Sequence, residues 1–120
     1  MVKIGDLEIK VPIIQGGMAI RVSMAKLAAA VANEGGVGVI AGTTLSTDEL
    51  KAEIKKARDI ITNEGGALAV NIMFAVTNFM DLVKASIEAG IDIIIFGAGF
   101  SRDIFEVVKG TGVKVIPIVS

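Results

Sequence analysis

The residues able to do chemistry are few, and most of them follow short apolar runs. Gln15-Gly16-Gly17-Met18-Ala19 comes directly after the run Val11–Ile14. Two adjacent glycines let backbone N–H groups approach a planar or anionic ligand closely; the same pair suits a tight strand-to-helix turn. Asn71 lies inside the apolar stretch Ala69-Val70-Asn71-Ile72-Met73-Phe74. Its carboxamide brings two donors and an acceptor into apolar surroundings, where leaving them unpaired costs about 1–3 kcal/mol. Backbone groups could satisfy it, or it could read the polar edge of a ligand; its place near the end of the run favours a ligand. Phe96-Gly97-Ala98-Gly99 forms a second small-residue stretch, able to seat a ligand or make room for a neighbouring side chain. Arg21 suits a surface ion pair as readily as an anion. Met18, Met24, Met73 and Met80 are expected as core fillers.

What is missing narrows the chemistry further. The chain has no Cys and no His, which removes thiolate zinc sites, Cys nucleophiles, Ser-His-Asp hydrolysis and His-ligated metals. It contains no G-x-x-x-x-G-K-[ST] loop, and no G-x-G-x-x-G opens a helix after an apolar run. Gln-Gly-Gly at the end of the first run, in place of acidic residues, disfavours a phospho-acceptor domain. No pair of carboxylates follows the apolar runs, so two-carboxylate chemistry has no candidates. Twelve basic residues against thirteen acidic ones leave a net charge of −1 and no basic stripe for nucleic acid. These residues offer a ligand mouth for a small molecule and no catalytic acid, base or nucleophile.

The elements that must position this mouth repeat along the chain. Apolar, β-branched runs at Val11–Ile14, Val37–Ala41, Ala67–Phe74, Ile91–Phe96 and Val113–Val119 predict strands buried on both faces. Helical periodicity separates them at Met24–Ala32, Asp48–Ile61, Phe79–Ala89 and Arg102–Lys109. Ser23 is the expected N-cap of the first helix, Ser46 with Glu49 has capping-box spacing, and Asn78 or Thr77 would cap the third. Gly35-Gly36, Gly65-Gly66 and Gly90 are expected as left-handed C-caps. Val2–Ile4 and Leu7–Ile9 around Gly5-Asp6 predict a β-hairpin within about residues 1–10.

The order is hairpin–βαβαβαβαβ, an α/β pattern with right-handed crossovers over residues 1–120. It fits a flavodoxin-like open sheet, or half of a (β/α)8 barrel of ~250 residues. Both architectures bind ligands at the carboxyl ends of their strands. The sequence stops at Ser120, just after the fifth run and with no closing helix, so the chain is expected to be an incomplete barrel, its N-terminal half. A mean hydropathy of +0.70 does not signal a membrane span, because charges or Gly-Gly pairs interrupt every window of about 18 residues. With no signal-like N-terminus the expected location is cytoplasmic. Open sheet edges and an apolar inner face predict a homo-oligomer.

Particular strings are more specific. Val11-Pro12-Ile13-Ile14-Gln15-Gly16-Gly17-Met18 and Leu27 to Ile40, with its Ala30-Val31-Ala32-Asn33-Glu34-Gly35-Gly36 segment, resemble the opening of the nitronate monooxygenase family. That family includes the FMN-dependent enoyl-ACP reductase II enzymes. The resemblance continues through Val70–Met73, Ala89–Ile94 and Gly112–Pro117. It implies an FMN-binding barrel that oxidises alkyl nitronates with O2, or reduces enoyl thioesters with NAD(P)H. It also implies that Gly17, Met18, Ala19 and Asn71 contact the flavin, with Gly97, Ala98 and Gly99 in the same wall. The family's catalytic His, in an A-G-G-H-type motif, and its phosphate site near strands seven and eight have no counterpart among these residues. An isolated half-barrel that self-associates, or an open-sheet module binding a planar ligand, are the competing readings.

Overall fold

A computed structural model describes all 120 residues. Ten elements run in the order β1 (Val2–Ile4), β2 (Leu7–Ile9), α1 (Ala25–Asn33), β3 (Val37–Ala41), α2 (Thr47–Ile60), β4 (Ala67–Met73), α3 (Phe79–Glu88), β5 (Ile93–Gly97), α4 (Asp103–Val108) and β6 (Lys114–Pro117). The strands β3 to β6 pair in parallel and in sequence order, while β1 and β2 form a separate antiparallel hairpin.

Side-chain size divides between the faces of the parallel sheet. Ile40, Leu68, Val70, Ile72, Ile94 and Phe96 point to the helices and join residues of all four in the main core. Val37, Val39, Ala67, Ala69, Ile93 and Ile95 point the other way, where they meet Ile9 of the hairpin and partly buried Ile4 and Leu7. Helices on one face only, with strands in sequence order, are barrel geometry; an open doubly wound sheet reverses its order and carries helices on both faces. The structure therefore selects the partial barrel over the flavodoxin-like alternative.

Helix α1 lies unusually close to the sheet. Its buried residues are all alanine, Ala25, Ala28, Ala29 and Ala32. A Cβ at Gly38 would stand 1.8 Å from the Ala28 carbonyl oxygen, so only hydrogen at that position admits the helix backbone. Helix α2 begins with the expected capping box: Ser46 Oγ accepts from Glu49 N–H, and Glu49 Oε1 accepts from Ser46 N–H.

Several expectations need correction. The run Val11–Ile14 forms no extended strand; it makes a single parallel bridge, Ile14 to Val37. Ser23 does not cap α1; the Ala25 N–H is taken instead by the Glu53 carboxylate of α2, at 2.9 Å. Asn78 precedes α3 without a side-chain cap. Gly65 has the expected positive φ of 104°, yet α2 ends at Ile60, so this glycine turns the following loop and does not cap the helix. Met24 and Met80 pack against the core as expected. Met18 and Met73, 48% and 45% exposed, do not: Met18 lies in the loop after Gly17 and Met73 at the carboxyl end of β4, both open to solvent.

Ion pairs tie the exposed layers together. Lys114 of β6 meets Asp6 of the hairpin turn, Lys51 of α2 meets Glu88 of α3 at 2.6 Å, and Arg58 meets Asp92 at 3.0 Å. Hydrogen bonds from Lys114, Arg21 and Lys51 hold Asp6, Glu49 and Glu88 below their ordinary values of 3.8, 4.5 and 4.5, with the partner's charge adding to the effect.

Two outcomes follow. Gly38→Ala forces α1 off the sheet and destabilises the protein by at least about 2 kcal/mol, read from denaturant unfolding. The three lowered carboxylates contribute stability above their ordinary values and lose it as pH falls through their lower folded values. The thermal midpoint therefore declines below pH 4.5, and declines less in the triple variant Asp6→Asn, Glu49→Gln, Glu88→Gln.

Candidate functional site

The Gly16-Gly17 turn is built by two polar side chains. Up to Gln15 the backbone pairs with β3: Val37 N–H donates to Ile13 C=O at 2.9 Å and Gln15 N–H to Val37 C=O at 3.0 Å. Beyond that point the backbone leaves the sheet and the Gln15 carboxamide takes its place. Val39 N–H donates to Gln15 Oε1 at 3.0 Å, and Gln15 Nε2 donates to Val39 C=O at 3.1 Å. One side chain thus continues the ladder for another residue pair and frees the chain to cross the carboxyl end of the sheet.

Ser23, completely buried, closes the turn from the other side. Its hydroxyl accepts from Met18 N–H at 2.9 Å and donates to Gly16 C=O at 3.2 Å. Its carbonyl accepts from Ala41 N–H at 2.8 Å, which anchors it to the end of β3. Arg21 pairs with Glu49 at 2.6 Å and so belongs to the surface, not to the turn.

This scaffold sets Gly17 on top of Asn71. A Cβ at Gly17 would lie 2.7 Å from Asn71 Cβ and 2.9 Å from its Nδ2. Asn71 is half-buried, and unlike Gln15 its carboxamide has no hydrogen-bond partner within the chain. Asn71 pairs with Ala41 and with Ile95; Met73 pairs with Gly97, so Gly97 lies on the same inward face one step further along. Gly97 is buried, with Ile118 beside it. Ala98 follows in left-handed backbone, φ 57°, and is exposed, as are Met18 and Ala19.

The structure therefore brings Gly17, Asn71 and Gly97 to one face, with Met18, Ala19 and Ala98 at its solvent margin. None of the cavities in the surface includes any of these six; the face is open. None of the six is titratable, and no cluster of His, Cys, Asp or Glu could hold a metal ion. Such a face can bind and orient a flat ligand, offering an unpartnered amide to its polar edge. The roles of Gln15 and Ser23 escaped the sequence reading. A Gln immediately before Gly-Gly was a visible signal, but its partner, Val39, lies 24 residues away.

A parallel strand-helix array with its helices on one face has the architecture of the (β/α)-barrel class. The model of the nitronate monooxygenase family matches residues 1–120, and the chain belongs to that family of FMN-type oxidoreductases. It is 33% identical over 106 residues to the (3aS,4S,5R,7aS)-5-hydroxy-7a-methyl-1-oxo-octahydro-1H-indene-4-carboxyl-CoA dehydrogenase of Mycobacterium tuberculosis, covering 88% of this chain and 29% of that protein. FabK from Thermotoga maritima superposes with a TM-score of 0.85 at 37% identity, over 93% of this chain and 35% of that one. A nitroalkane oxidase from Streptomyces ansochromogenes gives 0.78 at 20% identity, over 91% of this chain and 40% of that one, a likeness of fold. The chain thus spans 29% of the length of the curated relative and 35% of FabK. No helix is long and apolar enough to cross a membrane.

Gln15→Leu strands the Val39 N–H and C=O without their partners. Denaturant unfolding should show a loss of about 1–3 kcal/mol, while Arg21→Ala, which breaks only an exposed pair, costs less than about 1 kcal/mol.

Proposed function

We propose that this chain forms the ring-binding face of an FMN-dependent oxidoreductase of the nitronate monooxygenase type. The observation that carries the reading is the unpartnered Asn71 carboxamide lying against the Gly17 backbone at the carboxyl end of the sheet. Gly17, Met18 and Ala19 supply the turn over which the flavin would lie, Asn71 meets a polar edge of it, and Gly97 with Ala98 forms the adjoining wall. The missing Cβ of Gly17 lets the turn backbone settle directly against Asn71, and that of Gly97 makes room for Ile118. FMN, when bound, supplies the redox chemistry, and the chain binds, orients and excludes water from one side. None of the six residues can hold or move a proton, so a catalytic base is not among them.

Oxidation of alkyl nitronates with O2 is the first reading. Oxidoreduction of a thioester, of the enoyl-ACP reductase kind, is the second, and the Mycobacterium tuberculosis relative, a dehydrogenase of a carboxyl-CoA compound, favours it. In flavin-loaded protein, oxygen uptake with an alkyl nitronate against NAD(P)H oxidation with an enoyl thioester separates the two.

Titration of the protein into FMN, followed by flavin fluorescence, tests the ring-binding face itself. Saturable quenching is expected, weakened about tenfold in Asn71→Leu (about 1.4 kcal/mol) and abolished in Gly17→Val. Riboflavin should bind as well as FMN, since no residue of the face is placed to hold a phosphate. Absence of saturable quenching, or equal quenching by both variants, would overturn the assignment.

A further inference from the structure

The largest concavity, about 560 Å³, is not the open face but a groove beside it, between the β4–α3 and β5–α4 loops. Phe74, Val76, Phe79, Met80 and Phe100 line it, with Thr77, Ser101, Arg102 and Asp103 at the polar end. All five phenylalanines of the chain form one contiguous cluster here, with neighbouring ring centroids 5.2 to 6.4 Å apart. Gly99, at φ 130°, makes the cluster possible, because a Cβ there would stand 2.4 Å from the Phe74 ring. Phe100 nonetheless remains 54% exposed.

Ser101 points to an occupant. It is one of three buried polar side chains, and only 7% exposed. The other two, Ser23 and Ser86, are hydrogen-bonded, Ser86 to the Leu82 carbonyl at 2.8 Å. The Ser101 hydroxyl has no partner within the chain. No fully enclosed polar atom is left unsatisfied, so this hydroxyl keeps some exposure, and Ser101 is among the residues lining the groove. Arg102 beside it is exposed and in no ion pair. With Asp103 the other charged group of the lining, Arg102 is the one positive charge that can receive an oxyanion there.

From this geometry we infer that the groove is a subsite for an amphipathic oxyanion, an apolar chain or ring carrying a carboxylate or a phosphate ester. The apolar part lies on Phe74, Phe79 and Phe100, and the oxygen receives hydrogen bonds from Ser101 and Arg102. A concavity of this volume takes a drug-sized organic molecule. As a substrate subsite it rests on the oxidoreductase reading; as a binding site it does not, and its test contains no flavin.

Amide chemical shifts of the 15N-labelled chain are followed with decanoate, decyl phosphate, decan-1-ol and decyltrimethylammonium as probes. Both anions are expected to shift the amides of Thr77 and Phe100 to Asp103, binding about tenfold more tightly than decanol. The tighter of the two anions identifies the head group. Arg102→Gln and Ser101→Ala should each erase most of that advantage while leaving decanol binding unchanged. Phe100→Asp should weaken all four probes. Shifts centred instead on Ile13, Ile14 and Ile118, binding of the ammonium as tight as the anions, or an undiminished advantage in the Arg102→Gln, Ser101→Ala double variant would overturn the inference. Arg102 is exposed, so its substitution leaves the fold intact.

Discussion

A parallel sheet of β-branched strands has to be covered on both faces, and the rest of this structure depends on how that is done. The outer face is covered along its whole length by four helices, which contribute to a common core with Leu68, Val70, Ile72, Ile94 and Phe96. The inner face is covered at its amino end by the β1–β2 hairpin, which sets Ile9 against Val37, Ala67 and Ile93. At its carboxyl end Asn71 is half-buried under the Gly17 turn, Gly97 lies beside Ile118, and Met73 stands exposed. Burial thus sorts the two ends of one sheet into a half sealed by apolar side chains and a half that stays partly open and carries the amide of Asn71.

The two ends also differ in their polar chemistry. At the amino end charges are consumed internally: Lys114 by Asp6, and Arg58 by Asp92, whose other oxygen accepts from Leu68 N–H at 2.9 Å. At the carboxyl end the Asn71 and Ser101 side chains are among those that stay without partners, and Arg102 stays without a counter-charge. An unmet hydrogen-bonding group in a half-buried position is a standing cost to the fold. Its concentration at one end fits a surface that has a ligand to satisfy it, as does the exposed ring of Phe100. Open face and aromatic groove are neighbours because Met73 closes β4 on the one while Phe74 begins the loop that lines the other.

Between these ends the Gly16-Gly17 turn shows how a side chain can replace backbone. A regular strand at Val11–Ile14 would carry the chain straight past β3. Gln15 supplies the donor and acceptor that Val39 needs, so the backbone is released without leaving Val39 unpaired. Ser23 then fixes the released segment to the end of β3. Rigidity of the turn comes from hydrogen bonds to neighbouring backbone, while its closeness to Asn71 comes from the missing Cβ of Gly17.

The sequence by itself determined the alternation of strands and helices, the hairpin and the capping box at Ser46, because these depend on local periodicity and turn chemistry. It also marked Gly17, Asn71 and Gly97, since a polar residue inside an apolar run and glycines just after one are visible without any contact. Only tertiary structure decided between open sheet and barrel, because the same βαβ order serves both until the helices choose a face. It alone turned Ser23 from a helix cap into a turn anchor, gave the α1 cap to Glu53, and left Met18 and Met73 in solvent. The aromatic groove was likewise out of reach, for Phe74, Phe79 and Phe100 meet across two loops. Each of these depends on partners distant in the chain, where pairing energy is set by packing and not by spacing.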